Sequence, residues 1–254
     1  MIDVVLLGYG NVGQHLYSAF EASSAVNVVQ VYNRNPIKNL KIPQTQELSS
    51  LQNAAVSIIA IPDDEIAAIS EALPVLDTLV VHTSGGVTMK ALSSKNKRGV
   101  FYPLQTFSRN RPVDFKNIPI CIEAENEKDL KLLQSLGAAL SENVVEITSE
   151  ARSTLHLAAV FVNNFVNHLY TVASEISTEQ HIDFNLLKPL IAETAKKIES
   201  LSPSQAQTGP AKRNDTNTIQ KHLDLLKDTG FSDLYTTLTQ SIQQHIKHTS
   251  NQDQ

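Results

Sequence analysis

The chain has 254 residues and a formal net charge of −5, with 41% apolar and 19% charged residues. This is a globular composition with enough chain to bury a core, and the absence of any block of like charge excludes a nucleic-acid or membrane-surface footprint. The single cysteine, Cys121, excludes an internal disulfide framework and a cysteine-built zinc cage, so no metal site is expected; with an N-terminus that runs directly into an apolar strand, it points to the cytoplasm.

Short apolar, β-branched runs at 2–7, 28–32, 56–61, 78–82, 99–102, 119–122 and 144–147 read as strands, several of them apolar on both faces as in a parallel sheet. Helix-like stretches at 12–21, 64–73 and 127–140 separate them. After residue 148 the strand patterns stop, and helices follow at 150–178, 186–201, 216–226 and 232–247. The alternation predicts an α/β domain over 1–148, doubly wound on a mainly parallel sheet, followed by an all-helical domain over 149–254. From Ser153 to Ser174 there is no Asp, Glu, Lys or Arg, but His156, Asn163, Asn164, Asn167 and His168 are too polar for hydrocarbon. That stretch reads as a helix buried in protein.

The first strand ends in Gly8-Tyr9-Gly10-Asn11-Val12-Gly13, a GxGxxG turn that opens a helix. In this context it is a dinucleotide-binding fingerprint of the Rossmann type: Gly8 for the tight turn, Gly10 for close approach of a pyrophosphate, and Gly13 for helix–strand packing. The helix N-terminus offers free N–H groups and a favourable dipole to the phosphates. The second strand ends in Asn33 and Arg34, without the Asp or Glu that binds a ribose 2′-hydroxyl in NAD sites. A neutral residue followed by a guanidinium favours a 2′-phosphate, and hence NADP. Ile61, Pro62 and Asp63 follow the next central strand and are expected to line the cofactor, with Asp63 or Asp64 capping the helix that begins there.

His82-Thr83-Ser84-Gly85-Gly86 ends a further strand, where small residues let a ligand approach. Ser84 is placed against the cofactor and His82 is a candidate acid/base. Tyr102, Gln105 and Thr106 leave the next strand on the same rim, as candidate ligand contacts. At 100° per residue Arg152, His156, Asn163 and Asn167 share one stripe of the long helix. His156 and Asn163 are candidate catalytic residues there, and Asn167 a substrate-lining one. A buried polar network at a helix–helix or dimer contact would give the same stripe. In the loop at 208–215, Asp215 is a candidate helix N-cap, and Lys212 and Arg213 could meet an anion or a partner subunit.

The motifs GYGNVG (8–13), AIPDDEI (60–66), HTSGG (82–86), FYPLQTF (101–107), HLAAVFVNNFVNHLY (156–170) and TGPAKRND (208–215) together resemble a family of bacterial proteins. These pair a Rossmann-like domain with a helical C-terminal domain of unknown function, and an NADP oxidoreductase activity is assigned to them. More distantly the chain resembles pyrroline-5-carboxylate reductases, deazaflavin-dependent NADP reductases and β-hydroxyacid dehydrogenases. The resemblance implies a homodimer built through the helical domain, with a small-molecule site between domains. The chain departs from the β-hydroxyacid dehydrogenases at their catalytic lysine, which stands one turn before an asparagine on the corresponding helix. Here Ala159 and Val160 stand one turn before Asn163 and Asn164, and no lysine occurs between Arg152 and Lys188.

The expectation is therefore an NADP-dependent oxidoreductase that passes a hydride between NADP(H) and a small carbonyl or imine, with His156, or else His82, giving the proton. A non-catalytic NADP(H)-binding or redox-sensing protein is the alternative.

Overall fold

Val4 and Leu6 go to one face of the first strand and Val5 and Leu7 to the other, and all four are fully buried in separate apolar clusters. A strand covered on both faces belongs at the centre of a parallel sheet, and that is its place in the computed structural model, which describes residues 1–252 with side chains through Lys247. The strands are β1 (Ile2–Leu7), β2 (Val26–Tyr32), β3 (Gln44–Thr45), β4 (Val56–Ile59), β5 (Leu79–His82), β6 (Lys97–Pro103), β7 (Ile120–Ala124) and β8 (Val144–Glu146). They form one sheet in the order β3-β2-β1-β4-β5-β6-β7-β8. Every neighbouring pair is parallel except β6–β7.

Helix α1 (Asn11–Glu21) links β1 to β2, α2 (Ile66–Ala72) links β4 to β5, and α3 (Glu127–Ala138) links β7 to β8. The chain leaves β1 toward one side of the sheet and returns to β4 on the other. The crevice beyond the carboxyl ends of β1 and β4 is therefore the topological switch point, where α/β sheets bind ligands. This is the Rossmann-type sheet with a helical C-terminal region that the sequence predicts. Strand β3 is absent from that prediction because it has only two residues, held by the Gln44 side chain on both backbone groups of Ile37.

The later helices are α4 (Ser149–Ala159), a π turn (Val160–Phe165), α5 (Val166–Glu179), α6 (Lys188–Lys197), α7 (Pro203–Ala206), α8 (Pro210–Arg213), α9 (Thr216–Leu226) and α10 (Ser232–Gln252). Asp215 caps α9 as expected, its carboxylate accepting the Thr218 N–H at 3.1 Å. The chain forms two compact units, Met1–Asn164 and Phe165–Gln254. The strand pattern ends before residue 149, yet the first unit continues through α4, because Arg152 and Ser149 both bond Glu123 of β7. Within the single chain, Leu157, Phe161 and Val162 of the stretch at 153–174 are exposed in the first unit. Among the described residues, no helix is long and apolar enough to cross a membrane.

Candidate functional site

Gly8 has φ +105°, and a Cβ there would lie 2.4 Å from the Ala60 carbonyl oxygen, so only glycine closes the turn from β1. A Cβ on Gly13 would lie 2.2 Å from the Gly8 carbonyl oxygen, which is how α1 packs tightly behind the turn. Gly10 differs: nothing lies within 4 Å of its added Cβ. It caps α1 without a side-chain hydrogen bond, and the first turn holds no acidic residue. The N–H groups of Asn11, Val12 and Gly13 thus begin a helix with open space before it and no carboxylate to occupy it. This fits the diphosphate of a dinucleotide.

The Tyr9 N–H donates to Asn33 Oδ1 at 3.2 Å, and Asn33 Nδ2 donates to the Asn35 carbonyl at 2.7 Å. Asn33 therefore braces the turn with its amide, and Asn11 Nδ2 is similarly engaged by the Phe107 carbonyl. A cavity of about 580 Å³ opens beside the turn, lined by Gly8–Gly10, Asn33, Arg34, Ile61, Pro62 and Glu65. Arg34 meets Glu65 twice, Nη2 to Oε1 and Nη1 to Oε2, each at 3.1 Å. Sequence reasoning missed this carboxylate, which comes from the loop after β4 and carries no local signal of its partner.

Asp63 caps no helix. Neither the turn at Asp63–Glu65 nor α2 has a side-chain cap bond. Asp63 Oδ2 instead accepts from Ser84 Oγ at 2.7 Å, and the same Oγ accepts the N–H groups of Gly86 and Val87 at 3.1 and 3.0 Å. Ser84, expected against the cofactor, is buried and closes its own loop. His82 is fully buried beneath that loop, with Nδ1 accepting the Ser84 N–H at 3.2 Å. Desolvation, and after it the Arg152 guanidinium, push its pKa down to about 4. His82 braces the loop as a buried imidazole that accepts at Nδ1 and resists taking a second proton.

The polar pair that opens on space is Tyr102 and His156. The phenol oxygen and His156 Nδ1 are 3.1 Å apart, with the rings edge to face at 6.0 Å. A Cβ on Gly85 would fall 2.5 Å from His156 Nδ1 and 2.8 Å from Tyr102 Cζ, so the glycine makes room for the pair. Burial pushes the Tyr102 phenol up to about 12, so it keeps its proton. It can donate to Nδ1 of a neutral imidazole or accept from Nδ1–H of an imidazolium. The pair faces a cavity of about 470 Å³, lined also by Leu104, Gln105, Thr106, Leu155 and Asn163. Gln105 Oε1 is turned back on the Thr106 N–H at 2.8 Å.

Asn167 belongs to the second unit, outside this lining. The predicted stripe rests on a uniform 3.6-residue repeat, and the wider π turn at Val160–Phe165 shifts the phase of the residues beyond it. Among the described residues, no cluster of three His, Cys, Asp or Glu could hold a metal ion. A larger cavity of about 620 Å³, beside His15, Arg109, Arg111 and Lys116, contains none of the expected site residues.

A family described as "Domain of unknown function (DUF2520)" matches residues 118–242. A Bacteroides fragilis protein, provisionally named an NADP oxidoreductase, is 37% identical over 96% of this chain and 98% of its own, with a TM-score of 0.86. This chain is of one family with that Bacteroides protein. Two further solved structures share its fold. A reductive aminase from Aspergillus terreus in complex with NADPH and ethyl levulinate is 12% identical over 98% of this chain and 94% of its own, with a TM-score of 0.69. Pyrroline carboxylate reductase from Plasmodium falciparum with NADP bound is 12% identical over 96% of this chain and 100% of its own, with a TM-score of 0.58. Among curated proteins, none matches this chain.

Proposed function

We propose that this protein binds NADP(H) across the Gly8–Gly13 turn and transfers a hydride between it and a small carbonyl or imine held beside Tyr102 and His156. The observation that carries the reading is the Tyr102–His156 pair, set by Gly85 and open on its own cavity in the unit that holds the glycine turn. When bound, the cofactor supplies the hydride. The first-turn N–H groups of α1 hold its diphosphate, and Arg34 takes the 2′-phosphate. The backbone of Ile61–Asp63 lines its path. His156, as the imidazolium, gives its Nε2 proton to the substrate oxygen or nitrogen that gains charge. The neutral imidazole left behind keeps Nδ1–H on the Tyr102 oxygen, so the ring does not turn during the step. Asn163, Gln105 and Thr106 orient the substrate. The NADP-bound reductases of the same fold, one of them acting on a pyrroline, support this chemistry.

We also infer a homodimer built through the helical unit, and a cytoplasmic setting that accords with one buried cysteine. Calorimetric titration with NADPH, NADP, NADH and NAD, alongside NADPH oxidation with a panel of ketones and cyclic imines, tests the function. The His156→Ala variant is expected to bind NADPH as the parent does and to lose about 10²–10⁴-fold in kcat. Undiminished turnover in that variant removes His156 as the acid. Failure of all four dinucleotides to bind removes the oxidoreductase reading altogether.

A further inference from the structure

Arg34 is the one cation and Glu65 the one anion among the described residues lining the cavity beside the glycine turn, and they are bonded to each other at both terminal guanidinium nitrogens. The end of β2 lacks a carboxylate, but the loop after β4 delivers one to the same place. We propose that Glu65 is a specificity-determining residue: it competes with a 2′-phosphate for Arg34, and it accepts a hydrogen bond from the ribose 2′-hydroxyl of an unphosphorylated dinucleotide. The site then accepts both NADPH and NADH, and its preference between them is set by one movable ion pair. This inference rests on the proposed dinucleotide site and deepens it.

Exposure makes the exchange feasible. The Arg34 and Glu65 side chains are 68% and 36% exposed, so their bond is screened by water and is easily given up. A phosphate dianion approaching Arg34 meets a guanidinium already paired, and it must turn the Glu65 carboxylate away before it can use both nitrogens. A ribose hydroxyl has no such obstacle. It donates to a carboxylate oxygen while the other oxygen stays on Arg34, since a carboxylate accepts at several lone pairs. The Asn33 amide is held by Tyr9 and Asn35, so it does not take this role.

The test measures NADPH and NADH dissociation constants by calorimetry for the parent protein, Glu65→Gln and Arg34→Ala. Glu65→Gln frees Arg34 and is expected to tighten NADPH by up to about fivefold. The same change replaces a charged acceptor with a neutral one and is expected to weaken NADH by about threefold. The preference ratio thus rises by up to about fifteenfold, and in Arg34→Ala it falls. If the parent binds NADPH but Glu65→Gln leaves the ratio unmoved, or weakens NADPH, this inference is overturned and the dinucleotide site stands. If the parent binds neither nucleotide, both fall together. The substitution is at a partly exposed side chain outside the core, so a loss of fold does not confuse the result.

Discussion

Full burial and then the Arg152 guanidinium depress the His82 imidazole from 6.5 to about 4. Between those values the unfolded chain binds a proton there and the folded chain does not. Stability therefore falls as pH drops below 6.5, and the loss from this group is complete near pH 4. For a fully buried side chain the shift corresponds to about 3 kcal/mol. The carboxylates of Glu71, Asp77, Glu150, Asp183 and Asp215 are held below their usual range by hydrogen bonds. They also cost stability on acidification, but further down the scale, so urea midpoints between about pH 4.5 and 6.5 isolate the histidine. His82→Gln, which can still accept the Ser84 N–H, is expected to flatten that slope. An unchanged slope in the variant would show that His82 does not bear it. At this scale the sequence is legible where the chemistry is local. Gly8, Gly10 and Gly13 stand within one turn and announce themselves. Tyr102–His156, Ser84–Asp63 and Arg34–Glu65 each join distant segments, and no local spacing encodes which side chains will meet. His82 and Ser84 depart from expectation for the same reason: a polar residue after a strand can face a ligand or lie beneath its own loop, and only burial decides.

Helix α4 is tied to the sheet through the Glu123 side chain. Arg152 is fully buried, donates to Glu123 Oε2 of β7 at 2.6 Å and also to the Val87 carbonyl, and Ser149 Oγ donates to the same Glu123 oxygen at 2.7 Å. His156 lies one turn later on the same side of the helix, so the bond that seats α4 also sets the acid relative to Gly85. Arg152→Met leaves the Glu123 carboxylate without its cation, at an expected cost of about 3–5 kcal/mol in urea unfolding. Adding Glu123→Gln removes the stranded charge and should recover most of the loss, because the penalty lies in the unpaired ion more than in the bond. A cost below about 1 kcal/mol for the single variant would mean that α4 is seated by other contacts. Arg152 stands on the stripe with His156 in the sequence, but a stripe does not say which members point inward. Elements themselves are easier to read. The strands β1, β4 and β5 are mainly apolar and buried on both faces, and α9 begins at an Asp215 cap that acts within three residues. The π turn is not legible, since it needs no special residue and breaks the repeat on which periodicity depends.

At the scale of the whole molecule, the helical unit poses a problem that the α/β unit does not. Among the described residues of Phe165–Gln254, the buried hydrophobic side chains are Val172, Ala211 and Leu226. Leu186 and Leu190 are 72% and 63% exposed, and Ile198 and Leu225 are exposed as well. A helical unit with so little of its apolar surface covered cannot offset the entropy of ordering its chain. The proposed second copy would supply the missing cover, in the manner of obligate dimers whose interface resembles a core cut in half. Composition could not reveal this, because the same leucines satisfy a core within one chain or between two. The expected outcome is a dimer by light scattering, with a thermal midpoint that falls on dilution because folding and association are linked. Leu186→Glu with Leu190→Glu takes two leucines of each chain out of the proposed interface, a loss of about 3–6 kcal/mol per chain at ordinary transfer values. That variant should scatter as a monomer and lose helical circular dichroism, while the α/β unit keeps its own unfolding transition. A parent protein that is monomeric at micromolar concentration, with a midpoint independent of dilution, would require the helical unit to be stable with its leucines in water, and the dimer would have to be abandoned.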